Sequence, residues 1–211
     1  MIKIDAATLL QMLNRVKKFA GTDNEFILNT VHIHTLNGYL WAEATDRYKA
    51  AGVKGPACGE EFNTAIYLRD IQRIAYLLRW FKGGTVELST RPITDKDGKL
   101  NKGEHIVHVS VRYDKTGAEV DFIARTDYPP IHKLPEIEKG MKKPHADGSS
   151  YNLRQLATVA GIAEQGFFIP QGEKKGLLVA EDCWAILMPS RTTGRKTDSV
   201  WDHFIKELTN G

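Results

Sequence analysis

Cysteine and long apolar segments are scarce in this chain of 211 residues, and each scarcity excludes a class of protein. The two cysteines, Cys58 and Cys183, are far apart and form no CxxC motif, which excludes a cysteine-rich disulfide scaffold. No apolar run approaches the ~18 residues that a membrane span requires. The N-terminus, Met1–Asp5, lacks the apolar segment of a signal peptide. These absences predict a protein of the reducing cytoplasm with no membrane partner.

The sequence also lacks the motifs of common enzymes. It contains no Walker A, GxGxxG or GxSxG motif. His32 and His34 alternate on one face of a predicted strand, and His105 and His108 nearly do so, but no carboxylate or thiolate stands at the spacing of a metal motif. Histidines in such strands are typically structural or solvated. We therefore expect no catalysis, no metal ion and no cofactor.

The remaining composition is that of an ordinary globular protein. Apolar residues make up 42% of the chain and charged residues 26%, and the net charge is +3. The length is sufficient for one or two domains with buried cores. A small net positive charge is compatible with a nucleic-acid partner but does not require one. The positions of the charged residues are therefore the better indicator of nucleic-acid binding.

Turns and periodicities predict one unit, a strand followed by a helix and three more strands, that occurs three times. In the first unit, Asp5 caps the helix, and Asn37-Gly38 forms a tight hairpin turn because these residues tolerate positive φ angles. The predicted strands are 2–4, 26–36, 39–44 and 46–54 in the first unit, 61–65, 85–90, 105–113 and 118–124 in the second, and 167–169, 176–180 and 183–188 in the third. The predicted helices run from 5 to about 20, from about 67 to 81 and over about 152–164.

These units predict a division of the chain into domains. Residues 1–125 form a first domain of two units, 126–148 a linker, 149–191 a shortened second domain, and 192–211 a tail. A polar loop is expected over 91–104. The tail carries an amphipathic helix with Trp201 and Phe204 on its apolar face, which could cover an exposed edge, dock on a neighbouring subunit or pack on its own domain.

The polar faces of the predicted helices are basic. No acidic residue occurs from 6 to 22, and Asp70 is the only acid on the second helix. Arg69 and Arg73 lie one turn apart, so they repel each other unless an anion lies alongside. Such faces suit a polyanion whose phosphates are bound without reading of the bases. The same composition is typical of a helix face that is merely solvated.

Three segments, in this order, resemble motifs of one family: Ala44-Thr45-Asp46-Arg47-Tyr48-Lys49-Ala50, Asp127-Tyr128-Pro129-Pro130 with Leu134-Pro135, and Ile186-Leu187-Met188-Pro189-Ser190-Arg191. The bacterial DNA polymerase III beta subunits, the sliding clamps, carry A-T-D-x-x-R/K-x-A after the first helix. A D/E-Y/F-P-x-L-P stretch closes a domain in that family, and M-P-M/V-R ends the chain. The sequence therefore resembles the sliding-clamp family.

The resemblance implies an α+β fold with helices on one face and antiparallel sheets on the other. In the family, the helices line a closed homo-oligomeric ring that encircles double-stranded DNA and tethers the polymerase without catalysis. By position, the resemblance implies phosphate contacts at Arg15, Lys17, Lys18, Arg47, Arg69, Arg73, Arg79 and Arg154.

The family also binds peptides of the polymerase and the clamp loader in an apolar groove near the C-terminal motif. Matched residue by residue, Ile186, Leu187, Met188 and Pro189 would lie in that groove. The alternation of these residues fits a buried core strand equally well.

The sequence departs from the family in length. A typical bacterial clamp has three domains of two units each, whereas about three units are predicted here, and the chain continues past Arg191. A shortened clamp of a phage or prophage could close its ring with more copies. The alternative is a clamp-like peptide-binding or regulatory protein of the replication machinery that does not encircle DNA.

Overall fold

A single antiparallel sheet of eleven strands, with three α-helices, makes up the described part of the chain. The computed structural model describes residues 1–22, 27–94, 99–133, 153–170 and 176–188. The strands are β1 Ile2–Asp5, β2 Thr30–Leu36, β3 Tyr39–Thr45, β4 Lys49–Ala57, β5 Asn63–Tyr67, β6 Thr85–Thr94, β7 Leu100–Tyr113, β8 Thr116–Arg125, β9 Phe167–Pro170, β10 Gly176–Val179 and β11 Cys183–Leu187. The helices are α1 Ala6–Val16, α2 Leu68–Trp80 and α3 Leu153–Ala160, and 3-10 turns cover Lys17–Phe19 and Ile131–Lys133.

The order of the strands in the sheet is β1-β6-β7-β8-β5-β2-β3-β4-β11-β10-β9. The first two units each contain a strand, a helix and three more strands, as predicted, and they exchange their first strands. β1 of the first unit pairs with β6 of the second, while β5 of the second pairs with β2 of the first. This exchange joins the two units into one body. The predicted fold class is confirmed.

Local signals in the sequence account for the first helix and the first hairpin. Asp5 is the N-cap of α1, where its carboxylate accepts a hydrogen bond of 2.8 Å from the backbone N–H of Thr8. Asn37 and Gly38 have φ angles of 52° and 77°, which produce the tight turn between β2 and β3. The turn fixes the register of the hairpin, so that residue 32 lies opposite residue 43.

The helices cover one face of the sheet, and this face holds the main core. Ala51 and Val53 of β4 lie in that core with the apolar stripes of the helices, and so do Cys183, Ala185 and Leu187 of β11. The intervening side chains point to the opposite face, which we call the outer face. A second apolar cluster lies there, made of Ala50, Ala65, Tyr128, Ile131, Leu177, Trp184 and Ile186.

The third unit continues the sheet of the first through the pairing of β11 with β4. Trp184 lies opposite Gly52, and a Cβ atom added to Gly52 would lie 2.4 Å from the indole nitrogen of Trp184. This position therefore requires glycine for close approach. The division into two domains and a tail stays a prediction, because most of the linker and the whole tail with its predicted helix lie outside the described residues.

One predicted loop is largely strand. β6 continues to Thr94 and β7 begins at Leu100, so most of the segment 91–104 belongs to a long hairpin. Thr94 pairs with Leu100 beyond a register shift. The polar sequence was misleading because this hairpin extends past the core, where both faces of its strands meet solvent. Among the described helices, none has the length and apolar character needed to cross a bilayer.

Candidate nucleic-acid interface

The C-terminal ends of α1 and α2 meet on the helix-covered side of the sheet and form a basic groove of about 1220 Å³. The other wall is formed by the loop after α3 and the turn between β10 and β11. The basic residues that line it are Arg15, Lys17, Lys18, Arg79 and Lys82, and the acidic residues are Glu164, Glu181 and Asp182. Four of the predicted phosphate contacts are thus brought together in space.

The environment of Lys17 shows that the basic side chains of the groove lie close together. Its ammonium group donates a hydrogen bond of 2.7 Å to Asn14 Oδ1. Burial lowers the pKa of Lys17, and the neighbouring cations Arg79 and Lys18 lower it further. An anion placed among these cations would relieve their repulsion. The groove therefore carries an excess of positive charge, with five basic and three acidic residues in its lining.

Arg15 has a structural partner, in contrast to the phosphate contact that the sequence predicted. Its guanidinium forms a two-pronged pair with Asp182, with N–O distances of 2.5 and 2.9 Å, and its Nε donates to the carbonyl of Ile162 at 2.6 Å. The side chain of Arg15 is 17% exposed. The pairing raises the pKa of Arg15 and lowers that of Asp182. Arg15 therefore anchors α1 to the third unit.

Arg69 and Arg73 flank a buried carboxylate on α2. Asp70 lies 3.5 Å from Arg69 Nε and 3.1 Å from an amino nitrogen of Arg73. Asp70 therefore supplies the anion that their one-turn spacing requires. Both arginines remain on the surface, with 78% and 71% of their side chains exposed. Their guanidinium groups are therefore accessible to a ligand on the surface of α2.

Arg47 and Arg154, like Arg69 and Arg73, lie outside the groove lining. Arg47 is exposed in the turn between β3 and β4, where its φ angle is 76°. Arg154 is exposed on the first turn of α3. The basic residues of the groove therefore come from the C-terminal ends of α1 and α2 and the turns that follow them, and none comes from the third unit's part of the lining.

An exposed aromatic pair lies on α2, and the exposure of Trp80 and its contact with Tyr76 were not predicted from the sequence. Tyr76 and Trp80 are 62% and 71% exposed, and their rings meet edge to face at 6.2 Å. With Arg69 and Arg73, they form one stripe along the helix at positions 69, 73, 76 and 80. This spacing was the available signal, since all four residues avoid the buried face of α2.

The predicted peptide-binding residues divide between the core and the surface. Ile186 is 4% exposed in the outer-face cluster, and Leu187 is fully buried beneath the helices. Neither is open to solvent, so both are corrected to core residues. Met188 is 43% exposed, and its N–H donates to the carbonyl of Tyr48, another exposed apolar residue. Pro189 lies outside the described residues.

A second polar cluster lies on the outer face, away from the groove. His32 and His34 of β2 lie beside Glu43 of β3, which the sequence analysis did not place near them. Burial opposes ionisation of Glu43, but the imidazoles of His132, His32 and His34 outweigh it and hold the pKa of this carboxyl below its usual range. The turn at Asn37-Gly38 was the signal that could have located Glu43, because it sets residue 43 opposite residue 32.

The strand exchange, the continuous antiparallel sheet and the helices on one face define a clamp-like α+β fold. The chain is similar in structure to the beta subunits of DNA polymerase III. With the subunit of Borrelia burgdorferi, solved in complex with a natural product, the TM-score is 0.62 and the identity 12%, covering 91% of this chain and 64% of that one. The Thermotoga maritima subunit gives a TM-score of 0.63 at 14% identity, covering 91% and 65% of the respective chains.

The sliding clamp of Pseudomonas aeruginosa bound to griselimycin gives a TM-score of 0.62 at 15% identity, covering 90% of this chain and 65% of that one. The chain therefore spans somewhat less than two thirds of the length of these clamps. No protein-family model matches the sequence, and no curated protein does. The similarity to the clamps lies in the fold.

Proposed function

We propose that this chain is a non-catalytic DNA sliding clamp that encircles duplex DNA and tethers a replicative polymerase in the cytoplasm. The observation that carries the proposal is the basic groove, where Lys17, Lys18 and Arg79 of two helices converge on the helix-covered side of a clamp-like sheet. In a ring built like the clamps, that side faces the central channel.

Phosphates are the part of DNA that such a surface can bind. The lysine and arginine side chains are long and positively charged, and contacts from such side chains to phosphate oxygens carry no sequence information. Binding is therefore independent of sequence. The net charge of +3 is low, which keeps the contacts weak enough for the ring to slide.

A ring needs an edge at which copies of the chain join. β4 and β11, the last strands of the first and third units, already pair side by side within the chain. β8 is the last strand of the second unit, and on the side away from β7 its only described pairing is with Ala65 and Ile66 of β5. We assign this edge to contact with a second copy, by the same kind of strand pairing.

A partner peptide requires exposed apolar side chains on a rigid support. Met188 and Tyr48 meet this requirement, since a backbone hydrogen bond of 2.7 Å holds their segments together. We assign the capture of polymerase and clamp-loader peptides to this pair, and not to Ile186 or Leu187. Met188→Ala should weaken binding of such peptides and leave the fold intact.

A second candidate function is a clamp-like interaction protein that does not surround DNA. The exposed pair Tyr76 and Trp80 favours it, because aromatic side chains are enriched at protein interfaces. In this alternative, the helix-covered side docks on a protein. Neutralising the cations of the groove would then leave DNA binding unchanged.

The direct test is the triple variant Lys17→Gln, Lys18→Gln and Arg79→Gln, titrated with a fluorescent DNA duplex over a range of salt concentrations. Each lost phosphate contact should reduce the slope of log affinity against log salt by about 0.9. Two duplexes of unrelated sequence should behave alike.

The matched control is Arg91→Gln with Arg112→Gln, two exposed arginines whose strand positions alternate with the core and face outward. Its slope should equal that of the native chain. An unchanged slope in the triple variant would remove the groove from the path of DNA.

A further inference from the structure

Three imidazoles and one carboxylate meet on the outer face of the sheet. His32 and His34 come from β2, Glu43 comes from β3 directly across from His32, and His132 comes from the 3-10 turn after β8. The side chains of His32, His34 and Glu43 are 6%, 7% and 0% exposed. Four residues that commonly bind metal ions are thus enclosed together.

The distances among these atoms fit a tetrahedral ion. Glu43 Oε2 lies 3.7 Å from His32 Nδ1, 3.2 Å from His34 Nε2 and 3.6 Å from His132 Nδ1. The ligand atoms of His32, His34 and Glu43 all lie within 4.8 Å of one another. Bonds of 2.0–2.2 Å around a tetrahedral Zn²⁺ separate neighbouring ligand atoms by about 3.3–3.6 Å.

Hydrogen bonding within the described residues does not account for the cluster. His32 Nδ1, His34 Nε2 and both carboxylate oxygens of Glu43 are buried there without a hydrogen-bond partner. Buried polar atoms nearly always have such a partner, because leaving one unsatisfied costs ~1–3 kcal/mol. A cation among them would satisfy all four atoms together. The rings of His32 and His34 stack with centroids 4.3 Å apart and planes 6° apart, so one ring has to turn when the ion binds.

The surroundings of His32 orient it as a ligand. Its Nε2 lies 2.7 Å from Asn63 Oδ1, which accepts a hydrogen bond from that nitrogen and leaves Nδ1, 3.7 Å from Glu43 Oε2, as the nitrogen with a free lone pair. The ring of Tyr128 stacks on His32 at 4.6 Å. Metal-binding histidines are characteristically held by a hydrogen bond of this kind from the second ring nitrogen.

We propose that His32, His34, Glu43 and His132 bind one divalent transition-metal ion, with Zn²⁺ as the ion that this donor set suits best. An adjoining pocket of about 490 Å³, lined by His32, His34, Tyr128 and His132, provides the route of access. The ion joins the β2–β3 hairpin to the segment that leads away from the second unit. This site is structural, and it is independent of the proposed DNA groove because it lies on the opposite face.

The test uses the full chain without a histidine tag, stripped with a chelator and then titrated with ZnCl₂ by calorimetry. We expect one ion per chain, a rise in Tm on binding, and a visible absorption spectrum of tetrahedral Co²⁺ when cobalt replaces zinc. His34→Gln should abolish both signals. His108→Gln, which changes a half-exposed histidine paired with Asp121, should keep them.

Two further variants keep the test decisive if His34→Gln does not fold. His132→Gln changes a ligand that is 18% exposed and should also abolish the cobalt spectrum. Asn63→Ala should weaken the affinity for Zn²⁺ about 10- to 100-fold, whereas Asn63→Asp keeps the acceptor and should retain it. A folded native chain that binds neither ion, or unchanged binding in His34→Gln or His132→Gln, would overturn the proposal.

Discussion

At the scale of the residue, a basic side chain that is already paired with a carboxylate has a different role from one that lies among other cations. Lys17 and Arg79 crowd one another in the groove, whereas Arg15 in the same groove is held by Asp182. A guanidinium that already grips a carboxylate with two hydrogen bonds gains little from a phosphate, because it would first have to lose that partner. Arg15 thus contributes to the stability of the protein rather than to the proposed binding of DNA.

Arg15→Gln should therefore lower the free energy of unfolding by about 1–2 kcal/mol, since it removes a partly buried charge-assisted pair. Asp182→Asn should cost a similar amount, and the double variant should cost less than the sum of the two. Denaturant unfolding measures all three. If Arg15 contacted phosphate instead, Arg15→Gln would lower the salt slope of DNA binding by about 0.9 and barely change stability.

The sequence was informative about single residues where the signal is local. Asn37, Gly38 and Asp5 behave as their types predict, because turns and caps depend on neighbours in the chain. The role of Arg15 could not be foreseen, since Asp182 is 167 positions away. The position of Glu43 opposite His32 could have been predicted, because a two-residue turn at 37 and 38 determines the register of the hairpin.

At the scale of the element, the pairing of the third unit with the first includes one unusually close approach. β4 and β11 pair over five residues, and Trp184 packs where Gly52 has no side chain. A methyl group at residue 52 would overlap the indole, with its nearest contact at 2.4 Å. Overpacking of this kind typically costs ~1–3 kcal/mol.

Gly52→Ala should therefore loosen β11 from β4 before the rest of the sheet unfolds. We expect faster hydrogen exchange of the amides of 183–187, while those of β6 and β7 stay protected. The control is Gly59→Ala, because no atom lies within 4 Å of the Cβ that it would add. Equal protection of β11 in both variants would show that this contact does not hold the third unit.

The recurrence of strands and helices was predictable because the alternation of apolar residues and the turn residues repeat in each unit. Their pairing was not, because it joins segments far apart in the chain: Ile2 of β1 lies opposite Leu88 of β6, and Ile33 of β2 lies opposite Thr64 of β5. The polar sequence of 91–104 was misread for a related reason. A hairpin that extends beyond the core needs no apolar face, so it looks like a loop.

At the scale of the whole molecule, the two faces of the sheet have different chemistry. The helix-covered side carries the basic groove, and the outer face carries the histidine cluster with Glu43. The three family motifs in the sequence predicted the clamp-like fold, which the structural comparisons bear out. Motifs and fold leave the assembly open, because a ring depends on contacts between copies rather than within one.

The proposed function depends most strongly on the assembly of several copies into a closed ring. A clamp acts by topology, so the groove on each copy has to face a shared opening. The edge of β8 has to hold the copies together, which requires a stable oligomer rather than a monomer in equilibrium with weak dimers.

Negative-stain electron microscopy of the purified protein tests this most directly. The account predicts symmetric closed rings with a central opening wide enough for a DNA duplex. Particles that are solid at the centre, or single chains at every concentration examined, would contradict it.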